Sequence, residues 1–110
     1  MRATSQRWHI RAGLEQEYMT RHASVWPELE RLFHELGVTE YRLYRFGRDV
    51  FAHMRVDDYD HFIRGYAESE VAQRWEDEFA SLIELPNADP ETGWPESGEL
   101  VWALPAPHPR

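Results

Sequence analysis

Two alternating segments joined by a short glycine-containing turn lie in the middle of the chain, and they constrain its fold more than any other feature. The first, TEYRLYRF, covers residues 39–46 and places Tyr41 and Leu43 on one face. A Gly-Arg-Asp turn follows, and VFAHMRV then alternates over residues 50–56. Because successive side chains of a strand point to opposite faces, this pattern predicts a β-hairpin.

A strand and a helical segment precede the hairpin. The alternating sequence SQRWHIRA predicts a strand at about residues 4–12. From Leu14 to Leu36 apolar side chains recur with helical spacing, and Gly37 is expected to end the helix.

Pro27 interrupts this helical pattern. A proline cannot donate a hydrogen bond to the carbonyl of Ala23, and it restrains Trp26, so the helix is expected to kink or restart there. Ser24 is the expected N-cap of the second piece.

A helical segment and a strand also follow the hairpin. Residues 57–85 have helical spacing and are expected to form two pieces. Residues 86–99 are rich in proline, glycine and acidic side chains, which predicts a loop. The segment LVWAL, residues 100–104, is expected to be the last strand. The inward-facing helical residues are Phe62, Tyr66, Val71, Trp75, Phe79 and Leu82.

The resulting order, β-α-β-β-α-β, predicts an α+β fold of the ferredoxin-like type, with a four-stranded antiparallel sheet and helices on one face. We expect a single domain over residues 1–110, with residues 105–110 as a C-terminal tail. The other face of the sheet would carry aromatic and long side chains. Pairing with a second copy, as in a dimeric α/β barrel, is expected to bury it.

The composition argues against several functional classes. A net charge of −8 disfavours nucleic acid or an anionic membrane as the main partner. The chain has no cysteine and no lysine, which removes thiolate nucleophiles, Schiff-base catalysis and the P-loop. No apolar run is long enough to span a bilayer, and the N-terminus lacks the apolar core of a signal peptide, so we expect a cytoplasmic protein.

His22 lies on the apolar stripe of the first helix, one turn after Tyr18. An imidazole exchanges protons near neutral pH, and a phenol one turn away can bind the same ligand. The break at Pro27 would open a pocket beside them. The alternative is a half-buried histidine on an amphipathic stripe, with Tyr18 as an ordinary core residue.

Several aromatic residues on different elements would converge in this fold. Sugars stack their C–H faces on such rings, and their hydroxyls hydrogen-bond to tyrosines and carboxylates. The alternative is that these rings only fill the core. They are Tyr18, Trp26, Tyr41 and Trp75.

The remaining histidines show none of the usual metal-binding spacings, so we expect no metal. His53 alternates with the aliphatic face of its strand and would point to the open side of the sheet. The acidic cluster WEDEF, residues 75–79, is typical of a solvated helix face, with Glu76 as the exception. The five histidines other than His22 are His9, His34, His53, His61 and His108.

Three motifs together resemble the L-rhamnose mutarotase family. They are EYMTRHASVWPEL, a tyrosine near the start of the second strand, and ESEVAQRW, and the similarity extends to the final ELVWALP. The resemblance implies a ferredoxin-like fold, a homodimer, and interconversion of sugar anomers without cofactor or metal.

The resemblance also implies roles for individual residues. It assigns proton donation to His22, and substrate binding to Tyr18 and Tyr41. Trp75 matches the first of two adjacent tryptophans that contact the sugar, but Glu76 stands at the second position. The resemblance implies a 6-deoxyhexose as substrate, L-rhamnose first. A carboxylate would bind a hydroxyl where a ring would stack on a C–H face, so L-fucose is the alternative.

Mutarotation requires a proton for the ring oxygen and removal of one from the anomeric hydroxyl. The ring opens to the aldehyde, the bond to C1 rotates, and the ring closes on the other carbonyl face. His22 would be the donor. The partner base stays open between Glu76, His53 and water.

Three other functions remain open on the sequence. The first is a non-catalytic sugar-binding or regulatory dimer, which would bind sugars without accelerating their exchange. The second is a cofactor-free monooxygenase of the same fold with a polyaromatic substrate, which would leave the pairing of Tyr18 and His22 unexplained. The third is a structural dimerisation domain, in which His22 would matter only for stability.

Overall fold

The computed structural model describes residues 2–107, and these form four strands and four helices. His108 and the end of the predicted tail lie outside the described residues. The strands are β1 (Arg2–Ile10), β2 (Val38–Phe46), β3 (Asp49–Val56) and β4 (Ile83–Glu84). The helices are α1 (Glu15–His22), α2 (Pro27–Glu35), α3 (Tyr59–Glu68) and α4 (Glu70–Phe79).

The strands form one antiparallel sheet in the order β2-β3-β1-β4. The β2–β3 pair is the hairpin expected from the sequence, with a bulge between Val38 and Glu40. This arrangement confirms the ferredoxin-like α+β fold. Each predicted helical segment is divided into two helices.

The core lies between the helices and one face of the sheet. Ile10, Val50, Met54 and Val56 alternate along the two central strands and are at most 1% exposed, and Phe62 of α3 is fully buried against them. Burying side chains of this size contributes about 1.5–3 kcal/mol each. The period-two pattern in β1 and β3 therefore fixes which face carries the helices.

The opposite face of the sheet carries exposed aromatic side chains. Phe46 and Tyr44 are 70% and 51% exposed, and Phe46 contacts Phe51 edge to face at 5.8 Å. His53 lies on this face, because Ala52 and Met54 on either side of it are buried in the core. The expectation for His53 is confirmed.

The predicted last strand is wrong. Residues 100–104 have no strand pairing, and the fourth strand is Ile83–Glu84, which pairs with the end of β1. The chain then returns along β1, makes a single bridge from Ser97 to Gln6, and leaves the sheet after Gly98. The apolar segment LVWAL has strand propensity, but it is exposed and pairs with none of the described strands.

The helix boundary at Pro27 differs in detail from the expectation. The helix does restart there, with Pro27 in the first turn of α2, but the N-cap is Trp26 and not Ser24. Trp26 is extended (φ −63°, ψ 130°), as expected for a residue before proline, and its side chain makes no capping hydrogen bond. Gly37, with φ of +86°, ends the helix as predicted.

None of the four helices in residues 2–107 combines the length and the apolar composition that crossing a bilayer requires.

Candidate active site

A pocket of about 930 Å³ opens between the helices and the sheet. This volume lies in the range of small-molecule binding sites. All five residues predicted for the site line it: Tyr18 and His22 from α1, Tyr41 from β2, and Trp75 and Glu76 from α4.

His22 ends α1, directly before the break that Pro27 enforces. Its ring packs against Tyr18 at 4.5 Å and Phe79 at 4.6 Å between centroids, and edge to face against Trp75 at 5.7 Å. The helical spacing of four residues brings the His22 ring over Tyr18. The imidazole is therefore held in one orientation at the pocket wall.

The hydrogen bond of His22 determines which ring nitrogen faces the ligand. Nδ1 lies 3.0 Å from the carbonyl oxygen of Tyr18, and a carbonyl only accepts, so Nδ1 carries the hydrogen. Burial lowers the pKa of His22 below its usual value of 6.5, and the bond to this carbonyl opposes the shift. In the neutral ring, Nε2 then has a free lone pair.

Tyr18 is buried, with 4% of its surface exposed, and its hydroxyl accepts a hydrogen bond of 3.0 Å from Nε1 of Trp8. Burial raises the pKa of Tyr18 to about 12; the Trp8 hydrogen bond opposes this, and the nearby Glu76 adds to it. The phenol stays protonated at neutral pH. The Trp8 N–H binds a lone pair of the Tyr18 hydroxyl oxygen, so the phenol hydrogen remains free to bind a ligand oxygen.

Glu76 is half-buried, whereas Asp77 and Glu78 beside it are exposed, as expected for a solvated helix face. Its Oε1 accepts a hydrogen bond of 2.5 Å from the hydroxyl of Tyr66. Burial raises the pKa of the Glu76 carboxyl, the Tyr66 hydrogen bond lowers it, and the charge of Asp77 raises it.

Tyr41 and Tyr66 place two more phenols at the pocket. The Tyr41 ring stacks on Phe33 at 5.0 Å, and Phe33 also lies 5.7 Å from the Tyr66 ring. Burial raises the pKa of both tyrosines far above the usual range, with a further contribution from Glu76. Both are neutral hydrogen-bonding groups.

Sequence reasoning missed three residues of this site. The sequence places Tyr66 among the inward-facing helical residues, Trp8 in the strand segment SQRWHIRA and Trp94 in the loop of residues 86–99, with no role in the site. Trp94 lines the pocket, and within residues 2–107 its buried Nε1 has no hydrogen-bond partner. The available signal was chemical: a tyrosine or tryptophan at a core position has a polar atom that needs a partner.

The sequence profile of one known protein family, described as L-rhamnose mutarotase, matches residues 4–104. The chain belongs to the L-rhamnose mutarotase family. Membership makes it an isomerase of the mutarotase class, which confirms the resemblance drawn from its motifs.

Curated relatives of this family cover most of the chain. An L-rhamnose mutarotase of Agrobacterium fabrum is 31% identical over 108 residues, which are 92% of each chain. One from Bacteroides thetaiotaomicron is 29% identical over 87 residues, covering 77% of this chain and 83% of the relative.

Solved structures with the same fold include another mutarotase. An L-rhamnose mutarotase from Formosa agariphila matches with a TM-score of 0.74 and 25% identity over 96% of this chain and 100% of that one. Tetracenomycin F2 cyclase from Streptomyces glaucescens matches with a TM-score of 0.65 at 21% identity, over 97% and 100% of the two chains. The second likeness shows the fold alone.

The site contains acid–base and hydrogen-bonding groups. Within residues 2–107, no group of three or more His, Asp and Glu side chains is arranged to hold a metal ion. Proton transfer to and from a bound oxygen is the chemistry that these side chains can perform.

Proposed function

We propose that this member of the mutarotase family interconverts the α and β anomers of L-rhamnose by acid–base ring opening and closure. The observation that supports this most directly is the orientation of His22. Its Nδ1 is bound to a backbone carbonyl, so Nε2 is the nitrogen available to a ligand. The sugar comes from the names of the relatives, and the proton chemistry from the residues of this chain.

His22 is the proposed catalytic residue. A single acid–base group of this kind contributes about 10²–10⁴-fold to a rate. The reaction returns every proton that it takes, so one imidazole can accept a proton on ring opening and release it on closure. The proposal needs no cofactor and no metal.

Tyr18, Tyr41, Trp75 and Glu76 are the proposed sugar-binding residues. Trp75 is packed edge to face against Trp26 at 5.2 Å, which fixes its ring, and the part of the ring that lines the pocket would contact the C–H face of a sugar. The neutral phenols of Tyr18 and Tyr41 would hold hydroxyls, so that the open-chain aldehyde stays in place until the ring closes.

We also propose that the protein is a homodimer in which a second copy covers the open face of the sheet. Tyr44, Phe46 and Phe51 expose a contiguous aromatic surface there. Residues 100–104 form an exposed arm, with Val101 95% exposed and Trp102 71% exposed. The radius of gyration of 15.0 Å exceeds the value of about 13 Å typical of a compact chain of this length.

The test of the proposed activity is proton NMR of anomeric exchange with catalytic amounts of protein. Saturating one anomeric signal of L-rhamnose is expected to dim the other much more than in protein-free buffer. L-fucose is tested in parallel, because the carboxylate of Glu76 favours a sugar that presents a hydroxyl to it. Ligand-induced shifts without accelerated exchange for either sugar would overturn the enzymatic proposal and indicate a binding module.

A further inference from the structure

Mutarotation of a sugar requires two proton transfers, one to the ring oxygen and one from the anomeric hydroxyl. The ring oxygen and the anomeric hydroxyl are both bonded to C1, so two acid–base groups that face C1 can transfer both protons in one step, whereas a single imidazole transfers them in succession. His22 is the proposed first group. A second group would lie in the same pocket.

His53 is excluded from this role by its position. It lies on the open face of the sheet, between Ala52 and Met54, whose side chains are buried on the pocket side. Neither His53 nor its neighbours Phe51 and Arg55 contribute to the wall of the pocket.

Glu76 lies in the same pocket as His22, on a different helix. It follows Trp75, whose ring contacts the His22 imidazole, and both Glu76 and His22 line the pocket. Tyr18 connects the two groups further, because its ring packs on His22 and its phenol lies within electrostatic range of Glu76. The carboxyl and the imidazole therefore face one cavity from α4 and α1.

The hydrogen bond from Tyr66 leaves Glu76 able to react. The phenol binds Oε1, and none of the described residues hydrogen-bonds Oε2. Oε2 is therefore available to a sugar oxygen, while Tyr66 holds the carboxyl in one orientation.

We infer that Glu76 is the second acid–base group of this site, and that Glu76 and His22 together hold one mobile proton which the reaction passes between them. This inference rests on the proposed mutarotase function. It assigns Glu76 a catalytic role beyond binding a hydroxyl, and it makes Tyr66 a positioning residue.

The proton balance of the step is complete with these two groups. Glu76 donates its proton to the ring oxygen while Nε2 of His22 removes the proton of the anomeric hydroxyl. The C1–O5 bond breaks, its electron pair stays on O5, and the former O1–H pair forms the C1=O1 double bond. The mobile proton now lies on His22.

Ring closure reverses these transfers after rotation about C1–C2. The O5 hydroxyl attacks C1 and loses its proton to Glu76, while His22 returns its proton to O1. A pair that starts with the proton on His22 runs the same steps with the roles exchanged. The active form is therefore defined by one proton on the pair, and both gain and loss of a proton inactivate it.

The test is the pH dependence of anomeric exchange in Glu76→Gln. The amide keeps the shape and can still accept from Tyr66, but it cannot titrate. The kcat is expected to fall about 10²-fold or more with KM within a few-fold, and the bell-shaped profile is expected to lose one of its two limbs. The matched control is Glu78→Gln, which removes the same charge from an exposed position of the same helix and should keep the profile.

Tyr66→Phe provides the second variant. The Tyr66 hydrogen bond lowers the pKa of Glu76, so its loss should shift the limb that is absent in Glu76→Gln to higher pH. The other titratable groups facing Glu76 are Tyr18, Tyr41 and Asp77. The two phenols stay neutral across the assay range.

Two results would separate this inference from the function on which it rests. Wild-type protein that does not accelerate exchange overturns the mutarotase proposal. Active wild type, combined with a Glu76→Gln variant that keeps kcat and both limbs while KM rises, overturns the catalytic role and leaves Glu76 as a sugar-binding residue.

Discussion

Glu76 and His22 carry pKa shifts of opposite direction that have the same main physical cause. Burial disfavours the charged form of each group, so it raises the pKa of the carboxyl and lowers that of the imidazole. The two values move toward each other. As the two pKa values approach each other, the free-energy cost of passing a proton between the groups falls, which favours general acid–base catalysis.

The raised pKa of Glu76 predicts a pH dependence of stability that does not involve activity. Below the ordinary value of about 4.5 the carboxyl is protonated in both states. As pH rises, it ionises first in the unfolded chain, so its stabilising contribution is lost as pH rises through the higher pKa of the folded state. Wild type is therefore expected to lose stability relative to Glu76→Gln above about pH 4.5, by at most about 1.4 kcal/mol per pH unit.

Urea denaturation at a series of pH values measures this difference. Glu78→Gln is the control, and its stability relative to wild type should show no such change. A difference between wild type and Glu76→Gln that is constant from pH 4.5 to 8 would contradict the environment described for Glu76.

At the scale of helices and strands, the site depends on how α1 and α4 begin and end. Pro27 breaks the first helical segment just after His22, and Ser69 separates α3 from α4 by serving as the N-cap of α4. Its hydroxyl accepts from the amide of Ala72 at 3.3 Å. This cap fixes where α4 starts, and therefore the direction in which Trp75 and Glu76 point.

Two serine variants test the capping assignment. Ser69→Ala is expected to lower the free energy of unfolding by about 0.5–2 kcal/mol, because it removes a capping hydrogen bond. Ser24→Ala is the matched control, since the N-cap of α2 is Trp26, and it should change stability by less than about 0.5 kcal/mol. Denaturant midpoints measure both, and equal losses would contradict the assignment.

Features that depend only on neighbouring residues could be predicted from the sequence, and features that depend on tertiary packing could not. The hairpin and Gly37 depend on neighbouring residues and were predicted correctly. The prediction of Ser24 as the N-cap was wrong because proline is favoured at the first helical position, which makes the residue before it, Trp26, the N-cap. The segment LVWAL was wrong because strand propensity does not show whether a free sheet edge lies within reach.

The same distinction applies to the pocket. Tyr18 and His22 are neighbours through helical spacing alone, so their proximity was predictable. The contacts from Trp8 to Tyr18 and from Tyr66 to Glu76 join different elements. They depend on how the helices pack on the sheet, which no local pattern specifies.

At the scale of the whole molecule, the exposed aromatic face and the exposed arm of residues 100–104 lead to a prediction about assembly. Phe46→Asp places a charge in the centre of the exposed aromatic surface, and it is expected to convert a dimer into a monomer. Removing residues 99–110 is expected to weaken the dimer as well. Gln16→Asp, at an exposed helix position, is the control because it adds the same single negative charge.

Sedimentation velocity over a range of protein concentrations measures the association. Wild type that sediments as a monomer at every concentration would contradict the proposed dimer. A Phe46→Asp variant that remains dimeric would place the interface elsewhere.

The proposed function depends most on acid–base catalysis by His22 on a sugar bound in the pocket. The most direct measurement compares NMR anomeric exchange of L-rhamnose by wild type, His22→Ala and the exposed control His61→Ala. His22→Ala is expected to stay folded and to bind L-rhamnose, but to lose at least about 10²-fold in exchange rate, while His61→Ala keeps the wild-type rate. A folded His22→Ala variant that exchanges anomers as fast as wild type would contradict the proposed function.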